Sequence, residues 1–428
     1  MGTWRLVAAG LSAGLMVGPA PVAGSAPGTP SNTAASAVPG TPPDTAASAV
    51  PCPYVRKPAI PPTPASPAQA PAPAVGGPQL GTKGLAVPPE APAPPAVSAI
   101  SWVVADLDTG AVLGGCAPHL RRRPASVQKL LLAATALPKL DPDLVVEATA
   151  GDLDLPADSS AVGMVLGGRY PVSTLWYGLL LQSGNDAANA LARVAGGAGG
   201  VPATVAAMNA EAHRLGADDT HAVTPSGLDA PDQFTSAYDL ALIARADFAR
   251  PDFVRYDTRL RFQWPAQPPK HPKGFQIQNE NKLLTSYPGA LGGKTGFTDD
   301  ARHTYVGAAQ RGGRRLVVTI MGAEIVPARA WKQGTMLLDW GFKLPATASV
   351  GRLVTPEEAA ELHAPAARPP GTAATAAVPA PAASASGTSV RRLAVVALLA
   401  AGLLLVGAVG LLVIRRAARR RRVVAGRG

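Results

Sequence analysis

The chain has 428 residues, including 45 Gly, 45 Pro and two Cys, and a formal net charge of +11. This length allows one large domain or two ordinary ones. The charge does not indicate a nucleic-acid partner, because nine arginines lie from Arg391 onward and leave 30 basic against 28 acidic residues in the rest of the chain.

The N-terminus has the pattern of a secretory signal. Arg5 precedes the apolar run 6–17, and small residues follow that run. A positive charge, a short apolar core and small residues are typical of a segment that is removed on export. We therefore expect residues 1–25 to be a signal peptide.

Residues 26–97 are rich in Pro, Ala, Ser and Thr. Such a composition buries too little apolar surface to offset the entropy that ordering the chain would cost. The sequence therefore predicts a disordered linker here, and the folded domain is expected over residues 98–345.

The folded domain is predicted to open with a hairpin and a helix. The run 100–107 is typical of a strand, 108–110 of a turn and 111–116 of a returning strand. A helix should follow, with Pro124 in its first turn and Pro138 as its stop. Further helices are predicted over 172–182, 186–194, 203–215, 238–248 and 328–340, and further strands over 292–298, 303–310 and 315–322.

The C-terminal part is predicted to be a linker and a membrane anchor. Residues 346–390 are again rich in Pro and Ala, and Leu393 to Ile414 are 22 residues without a charge, enough to span a bilayer. Most of the flanking arginines lie after this run. The positive-inside tendency predicts that 415–428 form a basic cytoplasmic tail and that the folded domain is extracellular.

Ser126 and Lys129 are the first candidate catalytic pair. On a helix they stand at i and i+3, so their side chains share a face. A serine hydroxyl needs a base to become nucleophilic, and a lysine can serve if burial or nearby positive charge lowers its pKa. The free N–H groups at a helix start could also stabilise an oxyanion. Alone, Ser-x-x-Lys is more often a helix-start serine followed by a solvated lysine.

Two further motifs change that balance. Ser183-Gly184-Asn185 is the chain's only Ser-x-Asn, and 294–296 is its only Lys-Thr-Gly. Together with Ser-x-x-Lys they occur in the order known for β-lactamases and penicillin-binding proteins. Over roughly residues 96–343 the chain resembles the serine-type D-alanyl-D-alanine carboxypeptidases, a family of low-molecular-mass penicillin-binding proteins. The matching stretches are 123–126, 181–188, 225–228, 279–284 and 292–298.

This resemblance implies a three-layer α/β fold of the β-lactamase/transpeptidase type. An antiparallel sheet would be flanked by helices, with the Lys-Thr-Gly strand at its edge. A helical lobe would carry Ser183 and Asn185, and the site would lie between the sheet and that lobe.

The resemblance also implies a role for each motif residue. Ser126 would attack the carbonyl between two D-alanines, and Lys129 would accept its proton. Ser183 and Asn185 would relay protons to the leaving amine and hold the substrate amide.

The third motif would bind the substrate. Lys294 and Thr295 would contact the terminal carboxylate. The strand around Gly296 and Phe297 would bind the peptide, and the backbone N–H groups of Ser126 and Phe297 would form the oxyanion hole. The expected partners are peptidoglycan stem peptides and, as covalent inhibitors, β-lactams; no cofactor or metal is expected. One departure is Gln128, which stands where many relatives have Thr.

Other chemistries have weaker signals. The only Gly-x-Ser-x-Gly is residues 10–14, inside the expected signal, so a Ser-His-Asp hydrolase is not favoured. No His, Cys or carboxylate cluster has metal-ligand spacing. Cys52 and Cys116 could pair in an exported chain, and the sequence leaves that open.

Two related functions stay open as alternatives: a β-lactamase and a non-catalytic penicillin-binding sensor. A class A β-lactamase needs a second carboxylate to activate the deacylating water, and no Glu-x-x-Leu-Asn stretch is present. The nearest acid is Glu280, which belongs to a carboxypeptidase-like stretch. A non-catalytic penicillin-binding sensor is disfavoured because all three motifs are intact.

Overall fold

The computed structural model describes residues 49–55, 74–270 and 272–364. Several predicted segments lie outside these residues in whole or in part: the signal at 1–25, the linkers at 26–97 and 346–390, the membrane span at 393–414 and the tail at 415–428. Within the residues that are described, no helix combines the length and the apolar character needed to cross a bilayer.

The described residues form eleven strands. In chain order they are β1 Leu85–Ala86, β2 Ser101–Asp106, β3 Ala111–Cys116, β4 Val145–Glu147, β5 Arg169–Pro171, β6 Arg261–Trp264, β7 Phe275–Gln278, β8 Ala290–Thr298, β9 Arg302–Arg311, β10 Arg314–Ala323 and β11 Gly351–Arg352.

The same part of the chain forms nine α-helices. They are α1 Lys129–Ala136, α2 Val172–Leu181, α3 Asn185–Ala195, α4 Gly200–Leu215, α5 Ala237–Phe248, α6 Pro251–Asp257, α7 Leu283–Ser286, α8 Ala330–Lys343 and α9 Pro356–His363. Four 3-10 helices lie at Pro78–Gly81, Ala125–Gln128, Gly151–Leu153 and Gly197–Gly199.

A seven-stranded antiparallel sheet forms the middle layer. Its strand order is β1-β3-β2-β10-β9-β8, and β11 also pairs with β3. The long hairpin of β9 and β10 turns at Gly312 and Gly313, whose φ values of 57° and 82° favour glycine. This order leaves β8, the strand with the Lys-Thr-Gly motif, at one edge of the sheet.

Helices cover both faces of the sheet. Trp102 and Val104 of β2 pack in the core with α8, where Trp102 and Trp340 meet edge to face at 6.0 Å. Val103 and Ala105 point the other way, into the core formed with α1 to α5. Alternate strand residues face opposite sides, and both sides are buried here, so every residue of β2 is buried. The fold is therefore the predicted three-layer α/β arrangement.

Most predicted elements are confirmed. The opening hairpin is β2 and β3, and the predicted strands over 292–298, 303–310 and 315–322 are β8, β9 and β10. The five further helices predicted are α2, α3, α4, α5 and α8, each within a few residues of its expected bounds. The hydroxyl of Ser236 caps α5 by accepting a hydrogen bond from the backbone N–H of Asp239 at 3.1 Å.

Parts of the expected linkers on either side of residues 98–345 are ordered. Before residue 98, Leu80 is fully buried and β1 pairs with β3. After residue 345, β11 pairs with β3, and α9 buries Ala359. Pro- and Ala-rich composition predicted linkers, but a few apolar side chains and one edge of the sheet are enough to order these segments.

Cys52 and Cys116 form a disulfide, with their Cα atoms 5.8 Å apart. It joins the described segment 49–55 to β3 and closes a loop of 64 residues. In the chain-entropy model, such a cross-link stabilises the folded state by about 4 kcal/mol. The hydroxyl of Tyr54 also donates a hydrogen bond to the carbonyl of Ile100 at 3.2 Å, so the segment has a second contact close to the disulfide.

Candidate active site

Ser126 lies in the 3-10 helix Ala125–Gln128, directly before α1. Pro124 caps that helix, and the α-helix begins only at Lys129. Ala125 has a φ of 50°, a left-handed conformation that costs a non-glycine residue free energy. The sharp turn that follows leaves Ser126 half-buried beside the cleft.

The amine of Lys129 is fully buried and lies 2.9 Å from Ser126 Oγ. It also donates hydrogen bonds to Asn185 Oδ1 and to the backbone carbonyl of Ser226, each at 2.7 Å. Burial, followed by the nearby charge of Lys294, lowers the pKa of Lys129 well below that of a free lysine. A neutral amine at this position can accept the hydroxyl proton.

Ser183 and Asn185 lie where α2 gives way to α3. Ser183 has a φ of 58°, and this left-handed residue turns the chain between the two helices. Both side chains are buried. The carboxylate of Asp186 accepts hydrogen bonds from the backbone N–H groups of 162–164, which fixes the loop against the start of α3.

Lys294 belongs to the edge strand β8, and its side chain is buried. Its amine donates hydrogen bonds to Ser183 Oγ at 2.9 Å and to the carbonyl of Thr295 at 2.8 Å. Burial is the main cause that lowers the pKa of Lys294, to about 8. The structure thus brings the three motifs together, because Asn185 of the middle motif contacts Lys129 and Ser183 of the same motif contacts Lys294. The Lys294 amine contacts Ser183 and does not line the cleft.

Gly296 brings β8 against the Ser126 segment. A Cβ atom built at Gly296 would lie 2.9 Å from the backbone nitrogen of Ser126. The hydroxyl of Thr304 on β9 donates a hydrogen bond to the carbonyl of Pro124 at 2.8 Å and ties the same segment to the sheet. Only glycine allows β8 to approach the Ser126 N–H so closely.

A cleft of about 1080 Å³ lies over this group. Ser126, Ser183 and Asn185 form part of its floor, and the run 295–298 of β8 forms one wall. Phe297 stands in that wall with 49% of its surface exposed. A second cavity, of about 790 Å³, lies among α1, α4 and α5 and contains none of the motif residues.

Asp257, the last residue of α6, contacts the backbone of β8. Its carboxylate accepts a hydrogen bond from the backbone N–H of Gly293, and a Cβ atom at Gly292 would collide with it. Burial raises the pKa of Asp257 to about 7, against the lowering effects of that N–H and of Lys294. A second buried carboxyl, Asp247, has no hydrogen-bond partner among the described residues, and burial raises its pKa well above the usual value.

We expect the protein to lose stability as the pH rises above about 4. Asp247, Asp257 and Asp239 keep their protons in the folded state at a pH where the unfolded chain has released them. Their raised pKa values therefore favour folding at low pH and oppose it as the pH rises toward the folded-state pKa.

Asp247→Asn should raise Tm by roughly 5 °C at pH 8 and by much less at pH 4. Thermal unfolding at both pH values, with exposed Asp154→Asn as control, measures this; equal shifts at both would contradict it.

Three contributors to the site were not identified from the sequence. The Ser226 carbonyl is a backbone group, although its stretch 225–228 was among the family-like segments. Asp257 has no motif around it. Gln128 stood out in the sequence only as a departure from the family pattern, and it is buried next to Lys129.

Histidines and carboxylates that are distant in sequence also meet elsewhere in the described residues. His119 groups with Asp219 and Asp239, and His213 groups with Asp218 and His363. Sequence spacing does not reveal such groups, and neither contains a residue of the three motifs. In each group one histidine is hydrogen-bonded to one carboxylate: His119 Nδ1 lies 2.8 Å from Asp219 Oδ2, and His363 Nε2 lies 2.9 Å from Asp218 Oδ2.

Comparison with known proteins yields one family. The family model described as D-alanyl-D-alanine carboxypeptidase matches residues 89–325. The chain is 46% identical over 258 residues to D-alanyl-D-alanine carboxypeptidase DacB2 of Mycobacterium tuberculosis, which covers 59% of this chain and 85% of that protein. It is also 37% identical to D-alanyl-D-alanine carboxypeptidase DacD of Salmonella typhimurium, over 61% of this chain and 67% of that protein.

Solved structures agree with these matches. A crystal structure of D-alanyl-D-alanine carboxypeptidase from Mycobacterium tuberculosis is similar with a TM-score of 0.59 and 44% identity, covering 63% of this chain and all of that chain. The Streptomyces K15 DD-transpeptidase is similar with a TM-score of 0.56 and 29% identity, over 59% of this chain and 99% of that chain. From its motifs, its site and these matches, the chain belongs to the D-alanyl-D-alanine carboxypeptidase family.

Proposed function

We propose that this chain removes the terminal D-alanine from peptidoglycan stem peptides through an acyl-enzyme on Ser126. The observation that carries the proposal is the buried amine of Lys129, 2.9 Å from Ser126 Oγ and with a strongly lowered pKa. A serine is activated for covalent catalysis by such a base within hydrogen-bond reach.

Acylation would use the elements around Ser126. Its Oγ attacks the carbonyl between the two D-alanines while Lys129 takes the proton. The negative charge that develops on the carbonyl oxygen is stabilised by the backbone N–H groups of Ser126 and Phe297. The close approach of Gly296 to Ser126 supports this part of the proposal.

The second and third motifs would bind the substrate and return the proton. When the C–N bond breaks, the proton that Lys129 took passes through the hydroxyl of Ser183 to the leaving amine of D-alanine. Lys294 holds that hydroxyl in place by a hydrogen bond. Asn185 holds the substrate amide. Thr295 makes the direct contact with the terminal carboxylate, because Thr295 lines the cleft and Lys294 does not. The buried Lys294 attracts the same carboxylate through its positive charge, without touching it. Water then hydrolyses the ester on Ser126.

β-Lactams would acylate the same serine and leave it slowly. Their leaving group stays tethered to the acyl group and blocks the approach of water, whereas D-alanine diffuses away. A β-lactamase instead needs a second base that activates the deacylating water. The sequence offers no carboxylate motif of that kind.

Mass spectrometry of a pentapeptide that ends in D-Ala-D-Ala tests the proposed reaction. Incubation with the protein should yield a product that is shorter by one D-alanine. Products joined to an added amine acceptor would instead indicate a transpeptidase. Cleavage inside a cross-linked dimer would indicate an endopeptidase.

We further propose that residues 26–390 lie outside the cell and 415–428 inside it. The charge asymmetry around the apolar run 393–414 supports this orientation. A secretory signal at the N-terminus and a cell-wall substrate agree with it.

Protease added to intact cells should therefore remove the folded domain and spare a tag placed after Gly428. Lysed cells, in which the tag must become accessible, are the control. Loss of the tag from intact cells would reverse the proposed orientation.

A further inference from the structure

We propose that Gln128 and Gln233 are positioning residues that hold the carbonyl of Ser226 on the amine of Lys129 during acylation. The inference rests on the proposed function, and it gives a role to side chains outside the three motifs. Neither side chain lines the cleft. Both are buried, with 2% and 1% of their surface exposed.

Gln128 reaches from the serine-bearing helix to the loop 223–228. Its Nε2 donates hydrogen bonds to the carbonyl of Thr224 at 3.0 Å and to Gln233 Oε1 at 3.1 Å. Gln128 directly precedes Lys129, so the same turn of chain holds both the base and the loop that contacts it. A threonine at this position would be two atoms shorter and could not span the same gap.

Gln233 binds both ends of that loop. Its Oε1 accepts hydrogen bonds from the backbone N–H groups of Val223 and Thr224, at 3.1 and 2.8 Å. Its Nε2 donates to the carbonyl of Leu228. One buried amide thus closes the loop, and a second one, Gln128, fixes the closed loop to the site.

The loop also packs directly on the nucleophile's segment. Gly227 has a φ of 88°, and a Cβ atom built there would lie 1.9 Å from the carbonyl oxygen of Ala125. A side chain at residue 227 would therefore push the loop away. The close packing places the Ser226 carbonyl 2.7 Å from Lys129 Nζ.

The geometry of a neutral amine explains why this carbonyl matters. A neutral lysine amine has two N–H bonds and one lone pair. Asn185 Oδ1 and the Ser226 carbonyl, both at 2.7 Å, accept the two N–H bonds. The lone pair is then directed at the third neighbour, Ser126 Oγ, at 2.9 Å. If the loop moves, one buried N–H loses its acceptor and the amine can rotate away from the serine.

Gln128→Met and Gln233→Met test this role, because methionine keeps the length of the side chain and removes its hydrogen bonds. Acylation by a fluorescent penicillin should be followed over a range of concentrations, which separates the limiting acylation rate from the dissociation constant of the initial complex. We expect the limiting rate to fall by about 10- to 100-fold, as for a displaced catalytic group. The dissociation constant should not change, because neither glutamine touches the cleft.

A double variant and a surface variant complete the experiment. If the glutamines act through one loop, Gln128→Met and Gln233→Met together should slow acylation little more than either alone. Gln310→Met, on the exposed end of β9, should match the unchanged protein. If a methionine variant does not fold, Gln128→Thr, whose side chain is too short to reach the loop, takes its place and should show the same slower acylation.

Unchanged limiting rates in the folded glutamine variants would overturn the inference and leave the proposed function standing. Equal losses in rate and initial binding would also overturn it, because a general structural disturbance would explain them. If the unchanged protein neither reacts with penicillin nor releases D-alanine, both the proposed function and this inference fail.

Discussion

Replacing Ser126 by alanine is expected to abolish covalent labelling by a fluorescent penicillin. Ser126 is the proposed nucleophile, because its hydroxyl borders the cleft and lies within hydrogen-bond reach of the buried Lys129 amine. Ser183 also borders the cleft, but its hydroxyl accepts a hydrogen bond from Lys294 and does not contact Lys129. Without Ser126 Oγ no ester can form, and we expect the labelling rate to fall by more than about 1000-fold.

The folded state should survive this change. Ser126 is half-buried, and removing one hydroxyl leaves no cavity of consequence. Thermal unfolding of Ser126→Ala should match that of the unchanged protein, and Ser286→Ala, at an exposed site, should label normally. Continued labelling of Ser126→Ala would show that another residue is the nucleophile.

Replacing Lys129 by methionine should slow acylation by roughly 1000-fold, within the range known for general bases. Methionine fills a similar volume but cannot accept the serine proton. The unchanged protein should acylate faster as the pH rises through the pKa of Lys129, because only the neutral amine acts as a base. Since burial and Lys294 lower that pKa, the rise should come well below the pH at which free lysine titrates.

Lys139→Met provides the matched control, because Lys139 is exposed just after α1. It should leave both the rate and its pH dependence unchanged. If Lys129→Met acylated normally, or if the unchanged protein showed no rise until strongly alkaline pH, Lys129 would not be the base.

The regular parts of the fold could be predicted from local sequence. The mostly apolar run at 100–107 and the Asp108–Gly110 turn identify β2 and β3, because strand and turn preferences act over a few neighbouring residues. Gly312 and Gly313 identify the β9–β10 hairpin for the same reason. Helices with clear stops, such as α2 and α5, were also found.

The edges of the domain could not be predicted in this way. Residues around β1 and β11 have linker-like composition, and what orders them is pairing with β3, far away in sequence. The disulfide from Cys52 to Cys116 adds a constraint that the spacing of two cysteines cannot specify. Non-local contacts therefore order segments whose composition predicted linkers.

The candidate site was partly predictable, because part of it is contained in short local motifs. Ser126, Lys129 and Asn185 stand in short motifs that keep their order, and the structure brings them within hydrogen-bond distance. The motif does not reveal that the Lys294 amine contacts Ser183 and does not line the cleft. That depends on how the side chain is buried in the folded protein. Nor could it identify Ser226, which contributes only its backbone carbonyl.

A side-by-side measurement of D-alanine release and penicillin hydrolysis tests the central claim most directly. With equal amounts of protein, a pentapeptide ending in D-Ala-D-Ala should release D-alanine readily. Penicillin should be consumed once per chain and then hydrolysed at close to the background rate, because its tethered leaving group excludes water from the ester on Ser126. Rapid penicillin hydrolysis without D-alanine release would contradict the account and indicate a β-lactamase.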